Sequence, residues 1–368
     1  MKILAIETSC DETAISILQI KDRSFEVLSH VVHSQIDMHR EYGGVFPTIA
    51  KREHGKNLVP VLIEALEKAD LLKQEKGMLT KDMEKILSKN PELLDSFSKN
   101  AINIDKPDID RLAVTEGPGL EPALWAGISF AKALGILWDI DVYPVNHMEG
   151  HLASALLEDE VDFPAMALLV SGGHTELVLA SSWGKYEILG RTLDDAVGEA
   201  FDKVARLLGL PYPGGPDISK LAKIHRSKYP ESDYFKLPRP MVSSGDLKFS
   251  FSGIKTAVRY ALEKEEITKD IQEKMAREFE DAVVEVFKKK VEKALEEYPV
   301  KTFILAGGVS ANLYLQENLK KVVSDIKFIT PNNKLSTDNA TMIALAAYIS
   351  PKKPYDIVAR GNLRIDED

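Results

Sequence analysis

Cysteine is nearly missing from this chain: Cys10 is the single one among 368 residues. That excludes an internal disulfide and leads to the expectation of a reducing, cytoplasmic setting. Long apolar runs are missing too. The longest stretches, such as 165–170 and 343–349, fall far short of the roughly 20 residues a membrane helix needs. Met1 leads straight into the strand-like run 2–6, without the charged, apolar and small-residue succession of a secretory leader. An excess of positive charge is also lacking. The net charge of −10 excludes a protein that coats nucleic acid through bulk attraction. It leaves room for local basic faces, and two clusters stand out: Lys220, Lys223, His225, Arg226 and Lys228, then Lys248, Lys255 and Arg259. Each is either a solvated helix face or an RNA contact.

Apolar strand runs alternate with helical periodicity throughout, the pattern of an α/β protein, and the length suits two lobes. Strands are expected at 3–6, 14–18, 111–115, 141–145, 167–170, 177–180, 302–306 and 327–330. Helices are expected at 56–69, 122–137, 194–208, 271–298 and 339–348. Two segments share one plan. Residues 3–18 and 167–180 each run apolar strand, short polar turn, apolar strand, which suggests a duplicated lobe. Residues 71–106, rich in Lys, Glu, Asp, Ser and Asn, read as a helical insertion lying on the surface. The expected division is lobe I over 1–143, rejoined by a C-terminal helix over 341–368, and lobe II over 144–340.

Chemistry is concentrated in a few places. In Asn146-His147-Met148-Glu149-Gly150-His151 the two histidines stand four apart, on one face of a helix capped by Asn146. That is a two-point grip on a metal ion, with a third ligand needed from elsewhere. The zinc-protease pattern His-Glu-x-x-His is absent. Glu149 stands two residues after the first histidine, about 200° around the helix and pointing away from the pair, which argues against peptide hydrolysis. Asp338, before a helix of small residues, is either an N-cap or the carboxylate that completes the metal site. The turns Ser171-Gly172-Gly173-His174 and Gly307-Gly308-Val309-Ser310 each end an apolar strand, where backbone amides can approach an anion. Neither fits the dinucleotide fingerprint or the P-loop. Asp195, Glu199 and Asp202 share a helix face just before the rigid loop Pro213-Gly214-Gly215-Pro216, which favours contact with a ligand.

Together with Ile6-Glu7-Thr8-Ser9-Cys10-Asp11-Glu12-Thr13, Gly117-Pro118-Gly119 and Phe249-Ser250-Phe251-Ser252-Gly253-Ile254-Lys255, these motifs occur in an order that resembles one family. It is the tRNA adenosine threonylcarbamoyltransferases, once labelled O-sialoglycoprotein endopeptidases. The resemblance covers the chain apart from 71–106. It implies a two-lobed fold of the actin, sugar-kinase and heat-shock-ATPase type, and transfer of threonylcarbamoyl from its AMP anhydride to N6 of adenosine 37 in tRNAs that read codons beginning with A. It implies one iron or zinc ion held by His147, His151 and Asp338. It also implies donor contacts to Leu169, Val170, Ser171, Gly172, Gly173, Asp202, Gly215 and Asn312. Asp11 or Glu12 is the candidate to take the amine proton. The expected partners are tRNA, a related non-catalytic subunit and a small ATPase. The chain departs from the pattern at Leu169, where some relatives place a tyrosine metal ligand, and at Ser219, where several bacterial relatives carry an aspartate. On the same fold, a small-molecule kinase or a nucleotide-gated binding protein would need no transition metal.

Overall fold

The computed structural model describes the chain except residues 23, 232–233, 333–336, 353, 355 and 368. The chain forms two compact units, Met1–Leu157 with Thr337–Asp368, and Glu158–Ser336. In chain order the first unit begins with β1 (Lys2–Glu7), β2 (Glu12–Lys21), β3 (Ser24–Ser34), α1 (Ile36–Arg40), α2 (Pro47–Lys68), α3 (Lys81–Leu87) and α4 (Pro91–Lys99). It continues with β4 (Arg111–Gly117), α5 (Glu121–Trp138), β5 (Val142–Asn146) and α6 (His147–Ala153). The second unit holds β6 (Ala165–Val170), β7 (Thr175–Ser182), β8 (Lys185–Arg191), α7 (Val197–Leu207), α8 (Gly215–Lys228) and α9 (Ser252–Leu262). It closes with α10 (Lys269–Glu297), β9 (Thr302–Ala306), α11 (Leu313–Val322) and β10 (Lys327–Ile329), after which α12 (Ala340–Ile349) returns to the first unit.

Each unit is built on a five-stranded mixed sheet, and the two orders correspond strand for strand: β3-β2-β1-β4-β5 and β8-β7-β6-β9-β10. In both, an antiparallel hairpin opens the unit and two strands then add in parallel. The duplication expected from the two hairpins is therefore present at the level of topology. The inner strands are apolar on both faces, as strands covered by helices on each side must be. Residues 3–6 are fully buried, and β6 is buried along its whole length.

Three expectations are corrected. The boundary expected after residue 143 falls after Leu157, and the return begins at Thr337, so α6 and Asp338 belong to the first unit. The helix expected over 341–368 is α12 alone; the rest of the tail forms no helix among the described residues and is pinned by backbone bonds such as Arg360 N to Glu116 O, 2.8 Å. The segment 71–106 is helical but not peripheral. Met83, Leu87, Leu93 and Phe97 point into the same core as α2 and α5, and Phe97 meets Phe130 edge to face at 6.1 Å. Two short helices each spend an i, i+4 apolar pair on the core, so polar composition coexists with deep burial. Among the described residues, no helix is long and apolar enough to cross a membrane.

Candidate metal centre and glycine turns

The site in the first unit starts from a helix cap. Asn146 Oδ1 accepts from the amides of Met148 and Glu149 at 2.9 and 3.3 Å, which fixes the start of α6 at the end of β5. One helical turn then places His147 and His151 side by side, ring centroids 4.7 Å apart, both buried. Asp338 sits just before α12, yet it is not the cap: Asn339 accepts from Met342 N at 3.0 Å and does that work. Asp338 Oδ1 faces His147 Nε2 at 3.4 Å and His151 Nε2 at 3.3 Å. The other side of His147 meets Glu7, whose Oε2 accepts from Nδ1 at 3.1 Å and from Thr115 Oγ1 at 2.6 Å. A neutral His147 bound this way turns its Nε2 lone pair towards Asp338.

Two imidazole lone pairs and a carboxylate thus converge, all within 4.8 Å of one another. His151 Nε2 is buried and finds no hydrogen-bond partner of acceptable geometry. Such a cluster needs a cation at its centre. In a tetrahedral site with bonds of about 2.0–2.1 Å, ligand atoms stand about 3.3 Å apart, and the Asp338 separations match. The residues therefore fit a transition-metal ion, and Glu7 orients the ring in the manner metal sites use. Without the ion, a proton takes its place. Burial disfavours a charged His147, but Asp338 and Glu7 outweigh burial and raise its pKa well above the imidazole range. Burial likewise disfavours charge on Asp338, and the two histidines overcome it and hold that carboxyl far below the usual range.

Asp11 ends the turn between β1 and β2, and Glu12 opens β2. Burial, Asp11 and Asp338 together push Glu12 well above the carboxylate range, and its side chain hydrogen-bonds with that of Asp11. Gln35 N donates to Asp11 O at 3.0 Å and anchors this turn to the end of β3.

In the second unit, the two glycine turns end the adjacent parallel strands β6 and β9. Packing explains some of their glycines and not others. Gly307, at φ +92°, would bring a Cβ within 2.4 Å of Val170 O, so no side chain is tolerated there. At Gly172, Gly173, Gly215 and Gly308 an added Cβ would meet nothing within 4 Å. Those four leave open main chain that the fold itself does not require. Leu169 and Val170 are fully buried strand residues.

The polar residues expected to meet a ligand here are held by the protein. Helix α7 begins at Val197, so Asp194 and Asp195 precede it. Lys203 pairs with Asp195 and Glu199 at 2.7 and 2.8 Å. Asp202 accepts from Gly214 N at 2.7 Å and fastens the Pro-Gly-Gly-Pro loop; burial raises its pKa against the pull of that amide. Asn312 caps α11 through Leu315 N at 2.9 Å, and its Nδ2 donates to Ser219 Oγ and Glu280 Oε1 at 2.9 and 2.7 Å. Of the first basic cluster, His225 is buried and Arg226 is spent on Glu280 and Asp281 at 2.5 and 2.6 Å. Lys228 pairs with Glu273 at 2.7 Å, while Lys220, Lys223, Lys248, Lys255 and Arg259 stay exposed.

The sequence profile of the tRNA N6-adenosine threonylcarbamoyltransferases matches residues 26–77 and 88–345. A protein of that name from Persephonella marina is 41% identical over 377 aligned positions, covering 100% of this chain and 96% of the relative. Another, from Thermosipho africanus, is 43% identical over 96% of this chain and 95% of its own. The chain belongs to this family. A solved structure of T. kodakarensis HypF shares the fold, with a TM-score of 0.55 at 13% identity, over 94% of this chain and 47% of that larger one. The fold expectation, a duplicated α/β lobe of the actin and sugar-kinase type, holds. The profile skips only residues 78–87 in this region, so α4 lies within the family's common part and the expected insertion narrows to the neighbourhood of α3. Part of one motif, Leu335 and Ser336, lies outside the described residues.

Glu7 went unassigned in the sequence reading. It lies 140 residues from His147, and no periodicity links the two. Its signal was indirect, a carboxylate at the end of a fully apolar strand. The same holds for Asp194, which accepts from Ser250 Oγ, Phe251 N and Ser252 N at 2.6, 2.8 and 3.2 Å and so seats the Phe-Ser-Phe-Ser-Gly motif.

Proposed function

We propose that this chain transfers a threonylcarbamoyl group from threonylcarbamoyl-AMP to N6 of adenosine 37 in tRNAs reading codons that begin with A, releasing AMP. The observation that carries the reading is the converging set of His147, His151 and Asp338, oriented by Glu7, in a member of this family. Hydrolysis of peptides finds no support, because the buried Glu149 is not part of the converging set.

The donor is a reactive anhydride, so the chain need only position it and stabilise charge. N6 attacks the carbamoyl carbon, the bond from that carbon to the phosphate oxygen breaks, and AMP leaves with the electron pair. We assign the departing amine proton to Asp11, with the protonated Glu12 as its hydrogen-bond partner. The open main chain at Ser171-Gly172-Gly173 and at Gly308 suits the phosphate and carbamoyl oxygens, and Gly215 suits the nucleoside. Asp202 and Asn312 contribute by holding those loops, and Leu169 and Val170 by their main chain. The metal, iron or zinc, would be held by His147, His151 and Asp338 and would supply Lewis acidity towards an oxygen of the donor. The partners in this reading are tRNA, a related non-catalytic subunit and a small ATPase, in the cytoplasm.

The test is nucleoside analysis of tRNA after incubation with the purified chain, its partners and threonylcarbamoyl-AMP. Modified adenosine at position 37, with none on a G37 control, is the expected result. A complete system that leaves A37 untouched while phosphorylating a small molecule would overturn it.

A further inference from the structure

Aromatic residues are scarce here, 7% of the chain, and among the described residues Tyr42, Phe46, Tyr229, Tyr234 and Tyr260 are the exposed ones. Tyr42 and Phe46 are the two of these whose rings meet each other. They are 58% and 50% exposed, and their rings lie 5.8 Å apart at 32° on the segment that joins α1 to α2. The segment turns tightly, with Tyr42 N donating to His39 O at 3.0 Å and Gly43 at φ +65°.

What makes the pair more than two stray rings is how the segment is held. Phe46 N donates to His39 Nδ1 at 3.3 Å, and His39 Nε2 donates to Gln35 Oε1 at 3.3 Å. Gln35 Nε2 donates to His54 Nδ1 at 3.3 Å, and His54 Nε2 donates to Cys10 O at 3.0 Å. Thr13 Oγ1 donates to the same His54 Nδ1 at 2.8 Å. Every link has one consistent direction, so each histidine tautomer is set by its neighbours. His39, Gln35 and His54 are buried, at 0%, 1% and 0% exposure. A continuous chain of hydrogen bonds therefore runs from the backbone of Phe46 to the turn that carries Asp11. Burying three polar side chains to hold an exposed pair of rings is costly unless the position of the rings matters.

The rings are too few for a protein interface, which needs about 800 Å² on each side. The chain on either side of them is also polar, with Arg40 and Arg52 half exposed and each paired to a neighbouring carboxylate. Two flat, exposed rings match the face of an unpaired nucleobase, which stacks on aromatic side chains whatever its identity. An enzyme that reaches one base of an RNA loop must also hold the bases that lose their stacking neighbour. We infer that Tyr42 and Phe46 form a stacking platform for a nucleobase flanking the one that is modified, positioned by the Phe46–His39–Gln35–His54–Cys10 relay. The inference rests on the tRNA reading above and adds a subsite to it.

The experiment uses the complete enzyme with its metal and partners, and an anticodon stem-loop carrying 2-aminopurine at position 36 or 38. Binding to the unaltered enzyme should quench the probe. Tyr42→Leu with Phe46→Leu keeps apolar bulk but removes the flat rings. It should abolish the quench and raise the KM for tRNA about tenfold to a hundredfold, with a smaller change in kcat and unchanged metal content. Tyr42→Phe with Phe46→Tyr should restore both. Gln35→Leu should raise KM with the rings still present, because the relay is cut. If the leucine pair matches the unaltered enzyme in quench and KM, the platform is overturned and the rings belong to some other contact. Because the quench needs no turnover, failure of the unaltered enzyme to modify A37 while the probe responds would count against the transfer reading instead.

Discussion

The two units lay their strands in the same order yet differ at the corresponding turn. Between β1 and β2 the first unit carries Thr8-Ser9-Cys10-Asp11, backed by Glu7 and close to two histidines. Between β6 and β7 the second unit carries Ser171-Gly172-Gly173-His174, whose glycines face open space. One scaffold thus supplies titrating groups and metal ligands, and its copy supplies bare backbone. The lesson is that sheet topology fixes where a turn stands, while a few residues in the turn decide whether it handles protons and cations or anions.

The largest effect should come from the converging set His147, His151 and Asp338, which has no counterpart among the described residues of the second unit. His147→Ala with His151→Ala should remove the ion and lower transfer by more than about 100-fold, since even groups that merely orient ligands are worth about 10- to 100-fold. Metal analysis and tRNA nucleoside analysis check this, and nucleotide binding through the second unit's turns should survive. Full metal occupancy in the double variant would refute the ligand assignment. Acid should act in the same direction. Because the metal-free His147 is held above the usual imidazole pKa, protons compete for it early, and metal affinity should fall steadily as pH drops.

The units also differ in the helices between their strands: where the second places the 29-residue α10 just before β9, the first places two short helices, α3 and α4. Their burial makes Phe97→Ala a core deletion, expected to destabilise by about 3–5 kcal/mol in denaturant unfolding. A cost below about 1 kcal/mol would show that the segment is the peripheral excursion its composition suggests.

That segment shows why parts of the fold were legible in the sequence and parts were not. The inner strands announced themselves because burial on both faces demands an unbroken apolar run, as at Ile3, Leu4, Ala5 and Ile6. The edge strands β3 and β8 did not. Lys185, Glu187 and Arg191 face solvent, and β3 shifts register beside Ile17 and Leu18, which breaks its alternation. The convergence of His147 and His151 was legible because they sit one helical turn apart. Glu7, Asp194 and the Gln35–His54 relay act across the fold, and distance in sequence erases any pattern. Asp202 and Asn312 also bond within the protein, to the Gly214 amide and to Ser219 and Glu280, and no spacing in the sequence announces those contacts.

The relay histidine of the first unit also ties stability to pH. Burial lowers the His54 pKa to about 4, despite the favourable carbonyl of Cys10. Its unfolded value is near 6.5, so the unfolded chain binds the proton first as pH falls. Stability should be full above about pH 6.5 and decline towards pH 4, by up to about 3 kcal/mol. His54→Gln should flatten that part of the pH profile. A slope that persists in the variant would assign the loss to other groups.

The smallest effect belongs to the second unit and tests whether its turns are held by capping alone. Asp194 lies before α7, and its carboxylate receives two amides and two hydroxyls from Ser250, Phe251 and Ser252 at the start of α9. Because Phe251 itself makes no side-chain cap, Asp194 serves α9 as a borrowed one. Its partial burial raises the pKa, but those donors prevail and hold it below the usual carboxylate range. A depressed acid stabilises above its unfolded pKa and loses that contribution as pH falls through the folded value. Since the group is mostly exposed, solvent screens its charge, and the helix-cap scale is the better guide. Asp194→Ala should cost about 1 kcal/mol, and Asp194→Asn less, because the amide oxygen still accepts. Hydrogen exchange should localise the change to the first turn of α9 and the loop before it, leaving α6 and its metal untouched. If protection instead falls around α6, the two units are coupled through this motif and cannot be treated as independent copies of one scaffold.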